Sequence, residues 1–327
     1  KRFSMPILKP ELVEVPFWQF NGHLQTILPN LNRKVEGICY VRERIDTWDN
    51  DFLDLDWSKV GSEKLVIISH GLAGNSDAGY VKGLVKIVNE NHWDALAWNN
   101  RGCSGTPNNN FYSFHAGKSD DLELVIRHAC EQHHYKEIYL IGVSMGGNVT
   151  LKMLGEWNEN ILYPIKGAIA ISTPIDMYST SLHLIKGWNK IYSKRYLKQY
   201  KEMLLLKSMM FESQENMDVK NMLLSENLHV FADRYTAPSF GFKNAEDYLK
   251  SQSSLHFLEN IKIPTLLINA DNDPFLTATS YPDELAKKSD YFHFLKTING
   301  CHAGFADKNQ QIYSWVDHGS SSFLQNL

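Results

Sequence analysis

Short apolar runs alternate with segments of helical spacing through the first half of the chain. The runs 65–69, 95–98 and 138–143 predict buried strands, because they are short and continuous. Each run is followed by a segment in which apolar residues recur at helical spacing. These segments are 78–89, 122–133 and 148–157. The alternation predicts right-handed β-α-β units around a mostly parallel central sheet that is flanked by helices.

The beginning of the chain has a different pattern. Residues 38–46 and 52–57 alternate polar and apolar positions, and a short polar turn joins them. This pattern predicts an antiparallel hairpin ahead of the parallel units. Later segments continue the sheet and its helices: strands are predicted at 167–171, 265–269 and 292–297, and a helix at 281–288.

The regular alternation is interrupted between the predicted strands 167–171 and 265–269. The intervening residues are rich in Met, Leu, Lys and Tyr, and helical spacing is visible around 196–210 and 216–224. A structureless loop of this length is uncommon inside a compact domain, so the segment predicts a helical insertion. We therefore expect a core made of residues 1–174 and 259–327, with a helical lid at 175–258.

Length and composition indicate one folded catalytic domain. The chain has 327 residues, with 43% hydrophobic and 21% charged residues, which are proportions of a globular protein. Its net charge is −4, and the Lys and Arg residues as a whole do not line up in a stripe that would neutralise phosphates. Nucleic acid is therefore not expected as a partner.

The cysteines and the apolar runs bear on compartment and membrane insertion. Four widely separated cysteines form no C-x-x-C pair, which favours neither a zinc site nor a disulfide framework and is typical of a reducing cytoplasm. No apolar run reaches the roughly 18 to 20 residues needed to cross a bilayer. The sequence predicts a cytoplasmic protein without stable membrane insertion, with any segment upstream of Lys1 left open. It leaves the oligomeric state open as well.

The strongest chemical signal is the pentapeptide Gly-Val-Ser-Met-Gly around Ser144. It lies between an apolar strand and a helix that is expected to start near residue 147 or 148. A G-x-S-x-G sequence in that context is typical of a nucleophile elbow, a sharp turn that holds a serine hydroxyl above the sheet of an α/β-hydrolase fold. Ser144 is therefore the predicted nucleophile.

A serine hydroxyl needs a histidine to take its proton and a carboxylate to orient that histidine. On this fold the order is Ser, acid, His. Asp273 and Asp271 both follow the strand 265–269, and Asp273 is favoured because it lies further into the loop and precedes a proline. His302 follows the last predicted strand and is favoured as base, whereas His293 lies within that strand.

Acyl transfer also needs N–H donors for the negatively charged oxygen of the tetrahedral intermediate. The backbone N–H of Met145, directly after the nucleophile, should be one donor. The loop S-H-G-L-A-G after the strand 65–69 should supply the other, from the Leu72 N–H. His70 in this loop is interpreted as shaping it. Such chemistry requires no cofactor and no metal.

Two neighbouring features have a simpler explanation. The loop N-N-R-G-C-S-G-T-P-N after the strand 95–98 contains Arg101 and Cys103, which are interpreted as structural residues. Asp120 and Asp121 open a predicted helix, where a carboxylate caps the helix or favours its dipole.

The order of seven short segments resembles the YheT-like branch of the α/β-hydrolases. The segments, which extend from residue 20 to residue 305, are F-N-G-H-L-Q-T-I-L-P, S-H-G-L-A-G, R-G-C-S-G-T-P-N, G-V-S-M-G-G-N, T-A-P-S-F-G-F, A-D-N-D-P-F and G-C-H-A-G-F. The resemblance implies the nucleophile at Ser144, the acid at Asp273 and the base at His302. It also implies that 235–242 belongs to the return of the insertion to the core. Asn272 is a departure, because relatives often carry another acid there.

The resemblance implies activity on carboxylic esters, including phospholipids and medium-chain acyl esters. We expect a small-molecule ester substrate, with an acyl lipid favoured by the Met-rich lid. Two other functions are considered: an acyltransferase in which an alcohol replaces water, and a hydrolase-like binding protein without turnover. Amide hydrolysis is a less favoured third reaction.

Overall fold

The computed structural model of the chain describes residues 7–11, 14–17, 19–211, 218–306 and 314–327. Within these ranges, one sheet contains nine strands. They are β1 (Ile7–Glu11), β2 (Val41–Asp46), β3 (Phe52–Ser58), β4 (Lys64–Ser69), β5 (Asp94–Asn99), β6 (Glu137–Val143), β7 (Ile165–Ile171), β8 (Thr265–Ala270) and β9 (Phe292–Thr297). The strand order is β1-β9-β8-β7-β6-β4-β5-β3-β2.

The pairing directions confirm the predicted sheet. Strands β2 and β3 form the antiparallel hairpin, and β3 is also antiparallel to β5. Every other neighbouring pair is parallel. Because parallel strands end at the same edge, the loops after β4, β6, β8 and β9 are brought together at the carboxyl edge of the sheet.

The described helices flank this sheet or lie between β7 and β8. They are α1 (Gly22–Asn32), α2 (Gly79–Glu90), α3 (Ser119–His133), α4 (Met145–Trp157), α5 (Met177–Leu184), α6 (Lys190–Met210), α7 (Val219–Leu223), α8 (Leu228–Phe231), α9 (Ala237–Ser239), α10 (Ala245–Ser251), α11 (Asp283–Lys288) and α12 (Trp315–Gln325). None of the described helices combines the length and the apolar character that a membrane crossing requires.

The core lies on both faces of the sheet, as the alternation along β4 illustrates. Leu65 and Ile67 belong to an apolar cluster with residues of α3 and α4. Val66 and Ile68 point the other way, into a cluster with residues of α2 and α12. All four side chains have no exposed surface. Burial of each one contributes about 1.5–3 kcal/mol, which is why these runs are continuous in apolar residues.

The structure differs from the sequence-based expectations mainly at boundaries. Helix α4 starts at Met145, two to three residues before the expected start, because the turn at the end of β6 is completed by a single residue. The pattern did not predict β1, α1 or α12. Helix α1 contains Pro29, a residue that disfavours the interior of a helix.

The segment between β7 and β8 contains α5 to α10. The helical spacing seen around 196–210 lies within α6, and 216–224 overlaps α7, with 216–217 outside the described residues. Leu204 of α6 and Phe231 of α8 pack with Phe111, which comes from the loop after β5. These helices therefore share an apolar cluster of their own at the carboxyl edge. The division into a core and a lid at 175–258 stays a prediction.

Residues 235–242 approach the core beside α4. Ala237 is completely buried, and it shares an apolar cluster with Met145 and Phe114, with Phe242 packed against that cluster. The segment thus contacts the first turn of the helix that follows Ser144.

Candidate active site

Ser144 occupies the sharp turn between β6 and α4. Its backbone has φ 55° and ψ −118°, a left-handed conformation that costs a non-glycine residue about 1–3 kcal/mol. Two hydrogen bonds hold it there: the Ser144 N–H donates to the Ile171 carbonyl at 2.8 Å, and the Ser144 carbonyl accepts from the Asn148 N–H at 3.1 Å. The strain is localised at the residue that is predicted to react.

The two glycines of the pentapeptide are required by close backbone contacts. A Cβ at Gly142 would lie 2.4 Å from the Gly146 carbonyl oxygen, and a Cβ at Gly146 would lie 2.3 Å from the Ser69 carbonyl oxygen. Both distances are well inside van der Waals contact, and the neighbouring atoms are backbone that does not yield easily. The elbow therefore packs tightly against the end of β4.

The loops after β8 and β9 bring the predicted acid and base to this serine. His302 Nε2 lies 2.9 Å from Ser144 Oγ, and His302 Nδ1 lies 2.9 Å from Asp273 Oδ2. Asp273 and His302 are each 5% exposed. Because a carboxylate only accepts hydrogen bonds, the neutral imidazole donates from Nδ1 and leaves Nε2 free to accept the serine proton.

The two alternative residues lie in other surroundings. The Asp271 carboxylate is exposed and forms an ion pair with Lys296, whose Nζ lies 2.6 Å from Asp271 Oδ1. His293 is buried within β9. The structure therefore brings together Ser144, Asp273 and His302, and it does not bring either alternative to the serine.

Aromatic stacking and backbone hydrogen bonds hold the His302–Asp273 pair in orientation. The His302 ring stacks on Phe275, with ring centroids 3.8 Å apart. The Phe275 N–H donates to Asp273 Oδ1 at 2.8 Å, and the His302 N–H donates to Thr26 Oγ1 at 3.3 Å. Orientation of the imidazole is thus set by the loop that carries the acid.

Helix α1 supports the histidine loop, a role that the sequence reasoning missed. Gln25 Oε1 accepts from the Asn272 side-chain amide at 2.8 Å, and Asn272 Oδ1 accepts from the Cys301 N–H at 2.9 Å. A Cβ at Gly22 would lie 2.2 Å from the Asn272 carbonyl oxygen. The segment F-N-G-H-L-Q-T, which includes Gly22 and Gln25, is one of the seven on which the resemblance rests. The sequence did not indicate which part of the site this segment contacts.

His70 is a buried neutral residue that shapes the loop after β4. Its Nε2 accepts the Asn100 N–H at 3.1 Å, so the ring proton lies on Nδ1, which is 2.8 Å from the Gly71 carbonyl oxygen. Complete burial lowers the pKa of His70 to about 4. The side chain is therefore uncharged at neutral pH and braces the loop backbone.

The same loop passes directly beside Ser144. A Cβ at Gly71 would lie 3.2 Å from Ser144 Cβ, and the Gly71 N–H donates to the Tyr80 hydroxyl at 2.9 Å. The N–H groups of Leu72 and Met145 donate to no other group in the described part of the chain. Both N–H groups are therefore available to a bound ligand.

Two cavities meet at this loop. A cavity of about 290 Å³ is lined by Ser144, His302 and Leu72, together with Tyr192, Arg195 and Gln199 of α6. A second cavity of about 90 Å³ also has Leu72 in its lining, which is mostly apolar. Met177, Leu184, Phe231, Tyr248 and Leu249 belong to that lining. The site thus has one mixed chamber at the serine and one apolar chamber that shares Leu72 with it.

Arg101 and Cys103 lie outside this constellation. The buried Arg101 guanidinium donates to both carboxylate oxygens of Asp121, at 2.8 and 2.7 Å, and to Asp49 at 2.6 Å. Burial raises the pKa of the Cys103 thiol to about 12, so it is a poor nucleophile. Asp121 is a partner of Arg101 and makes no side-chain cap at the start of α3.

One group of side chains could hold a metal ion. Glu43 of β2 lies beside His128 and His133 of α3, with Glu43 Oε1 2.9 Å from His128 Nε2 and Glu43 Oε2 3.4 Å from His133 Nε2. Among the described residues no other group of three such ligands is this close. It does not line the cavity at Ser144.

A serine on a strand-to-helix elbow, followed by an acid after one later strand and a histidine after the next, is the arrangement of α/β-hydrolases. The chain belongs to the family Hydrolase_4, described as serine aminopeptidase, S33, whose profile matches residues 61–301. The resemblance to the YheT-like α/β-hydrolases is thereby confirmed.

Relatives and solved structures agree with this assignment. The chain is 28% identical to YheT of Escherichia coli (strain K12), over 87% of this chain and 84% of YheT. It is 26% identical to the human phospholipase ABHD3, over 95% of this chain and 78% of that protein. The esterase Pf2001 of Pyrococcus furiosus is similar in fold, with a TM-score of 0.58 at 19% identity, covering 90% of this chain and 98% of Pf2001. The protein is an α/β-hydrolase of the esterase and lipase type.

Proposed function

We propose that this protein is a serine carboxylic-ester hydrolase that acts through an acyl-enzyme, with Ser144 as nucleophile, His302 as base and Asp273 as acid. One observation carries the proposal. The His302 ring has one nitrogen 2.9 Å from Ser144 Oγ and the other 2.9 Å from an Asp273 oxygen. A proton can therefore leave the serine hydroxyl as the hydroxyl attacks a carbonyl carbon.

The reaction proceeds in two halves. In the first, His302 Nε2 accepts the Ser144 proton, the serine oxygen bonds to the ester carbonyl carbon, and the alcohol leaves with the proton returned by His302. In the second, His302 Nε2 takes a proton from water as the water oxygen bonds to the acyl carbon. The bond between that carbon and Ser144 Oγ then breaks, His302 returns the proton to Ser144 Oγ, and the acid is released. Asp273 stabilises the imidazolium in both halves.

The Leu72 and Met145 N–H groups are the donors for the tetrahedral oxygen. Both lie next to Ser144, one across the loop after β4 and one along the chain. A single donor of this kind contributes about 3 kcal/mol to the stability of the transition state. His70 helps indirectly, because it holds the carbonyl of Gly71 and so fixes the direction of the Leu72 N–H.

The two chambers favour an ester with one apolar and one larger, more polar half. The apolar chamber suits the acyl chain. The chamber at Ser144, which Arg195 and Gln199 also line, suits the alcohol half. The name of a relative, phospholipase, supports acyl lipids as the substrate class. Residues 175–258 would act as a lid, since α6 lines the chamber at Ser144, and α5, α6 and α8 line the apolar chamber.

The test is covalent labelling followed by kinetics. A fluorophosphonate probe should label Ser144 in the wild-type protein and should not label Ser144→Ala, while the exposed control Ser322→Ala should be labelled like wild type. Hydrolysis of p-nitrophenyl esters should fall by about 10⁴-fold or more in Ser144→Ala. A folded protein without label at Ser144 would indicate a binding protein, and full activity of Ser144→Ala would refute the mechanism.

Two further substrates separate neighbouring reactions. If water resolves the acyl-enzyme, addition of ethanol to the ester assay should leave the rate of free-acid release unchanged and give no ethyl ester. Accumulation of the ethyl ester would instead identify an acyltransferase. An aminoacyl p-nitroanilide tests amide hydrolysis, the reaction named in the description of the family.

A further inference from the structure

Helix α6 presents one continuous outward face beside the cavity at Ser144. At about 100° per residue, its exposed side chains fall within an arc of roughly 200°. They are Lys190, Ile191, Lys194, Arg195, Lys198, Gln199, Glu202, Leu205, Leu206, Met209 and Met210. The opposite side carries Leu197 and Leu204, which are buried against the other helices of the segment. We call the exposed arc, together with the preceding Trp188, the outward face.

This face is unusually apolar for exposed protein surface. Trp188 is 84% exposed and Met209 72% exposed, and Ile191 is 54% exposed. Leu205 and Leu206 add to the same arc. An aliphatic and aromatic patch on a helix, rimmed by charged residues, marks a surface that contacts another apolar phase.

The charges on and around the face are mostly positive, and its one acid, Glu202, lies 3.8 Å from Lys198 Nζ. Residues 186–210 contain seven Lys and Arg residues and one Glu, although the whole chain has a net charge of −4. Lys207 is turned inward, where its ammonium donates to the carbonyls of Asn108 and Asn110. Lys186, Lys190, Lys194, Arg195 and Lys198 are exposed. Basic charge is therefore concentrated around Trp188 and Ile191, in the N-terminal part of the outward face.

The outward face adjoins the opening of the cavity. Arg195 and Gln199 belong both to the exposed arc and to the lining of the chamber that contains Ser144. Tyr192 and Tyr196, on the next rows of the same helix, continue that lining inward. A surface bound to the outward face would thus lie at the edge of the chamber.

We propose that the outward face of α6 docks on the surface of an anionic phospholipid bilayer. Lys and Arg attract the phosphate layer, while Trp, Ile, Leu and Met enter the boundary between head groups and acyl chains. This is peripheral binding, without a membrane-spanning segment. The binding does not depend on catalysis; only its consequence, delivery of lipid esters to Ser144, rests on the proposed function.

The charge pattern favours a bilayer over a second copy of the chain. Two copies that paired through this face would bring its excess of exposed Lys and Arg residues together, which like-charge repulsion opposes. An anionic lipid surface satisfies the apolar and the basic side chains together.

The experiment is vesicle co-sedimentation of the full chain. Vesicles of phosphatidylcholine alone are compared with vesicles that contain about 30 mol % phosphatidylglycerol. Wild type should bind the anionic vesicles at least about tenfold more strongly, and binding should fall about tenfold or more between about 50 mM and about 500 mM NaCl. Equal weak sedimentation with both vesicles would overturn the proposal.

Variants then locate the binding surface. Trp188→Ser with Met209→Ser removes apolar contact, and Lys194→Glu with Lys198→Glu reverses charge. Each pair should weaken vesicle binding by about tenfold or more, and neither should alter hydrolysis of a short soluble ester, since none of the four lines the chamber. The matched control, Leu162→Ser with Lys166→Glu, changes exposed residues at the amino edge of the sheet and should bind like wild type.

The outcomes separate this proposal from the proposed function. Ser144→Ala should bind vesicles like wild type. Wild-type protein that binds vesicles but hydrolyses no ester would refute the proposed function and leave the docking surface intact. If the enzyme is active and its outward-face variants still bind vesicles like wild type, the docking surface is refuted and the proposed function is not. Light scattering measures the oligomeric state of the same proteins. The proposal would be overturned if the wild type were a dimer that binds no vesicles and the outward-face variants were monomers. The face would then be assigned to self-association.

Discussion

The imidazole of His302 lies flat on the ring of Phe275, with centroids 3.8 Å apart and an interplanar angle of 7°. Phe275 follows Asp273 by two residues, and its N–H donates to that carboxylate. One short loop after β8 therefore controls both the partner and the plane of the base. This relationship makes Phe275 a positioning residue for the proposed reaction.

Phe275→Leu should lower kcat/KM for p-nitrophenyl esters by about tenfold to hundredfold, because the ring that holds His302 in plane is lost while Asp273 stays. The effect should appear mainly in kcat. Phe275→Tyr, which keeps a flat ring, should restore most of the activity. If Phe275→Leu and wild type had the same kcat at every pH tested, stacking would have no role in orienting the base.

The two neighbouring aspartates provide a matched pair of variants. Asp273→Asn should lower kcat by about 10⁴-fold, because an amide can donate to Nδ1 and thereby favour the wrong imidazole tautomer. Asp271→Asn should change kcat by less than about threefold, since its carboxylate pairs with Lys296 at the surface. Equal losses in the two variants would remove Asp273 from the proposed triad.

Two physical effects at Gly146 predict opposite changes in the free energy of unfolding when it is replaced by alanine. Gly146 lies in the first turn of α4, where helix propensity alone favours alanine by about 1 kcal/mol. The Cβ, however, would lie 2.3 Å from the Ser69 carbonyl oxygen. We expect Gly146→Ala to destabilise the protein by about 3 kcal/mol, measured by urea unfolding.

Gly187→Ala is the control for that measurement. Gly187, unlike Gly146, has a positive φ, 52°, and a Cβ there would contact nothing within 4 Å. It should cost only about 1 kcal/mol, from the left-handed backbone alone. A stable Gly146→Ala protein would contradict the tight contact between the elbow and β4.

The buried His70 predicts acid sensitivity. Its pKa is lowered to about 4 in the folded chain, against about 6.5 when unfolded, so between these values only the unfolded state binds the proton. Stability from this group is complete above pH 6.5 and is lost as the pH falls toward 4, by roughly 3 kcal/mol in total. Unfolding free energies of wild type and His70→Gln, measured from pH 7 to 4.5, should therefore converge on acidification. Parallel curves would contradict this account.

The sequence by itself was sufficient for the class of fold and for candidate chemistry. Continuous apolar runs such as 65–69 are buried on both faces of the sheet. Because burial determines this pattern, the strands can be recognised from the sequence alone. The pentapeptide around Ser144 was informative because Gly142 and Gly146 are steric requirements of the turn. Local rules of this kind depend on residues that are neighbours in the chain.

Tertiary structure alone decided which side chains meet. Asp271 and Asp273 are two residues apart, and only the path of the loop directs one to His302 and the other to Lys296. Helix α1 was not predicted from the pattern, yet Gln25 and Thr26 hold the loops that carry Asn272 and His302. Such contacts join residues more than two hundred positions apart, and no local pattern encodes them.

Ser144 illustrates both sources of information. Its place on an elbow follows from the residues on either side of it, because sterics at a sharp turn act over a few bonds. Its surroundings depend instead on how the parallel strands end at one edge. These surroundings are His302 at 2.9 Å, the Leu72 N–H on the loop after β4, and the exposed basic face of α6 beside the chamber. That edge is assembled only when the whole sheet is formed, so the site exists only in the folded chain.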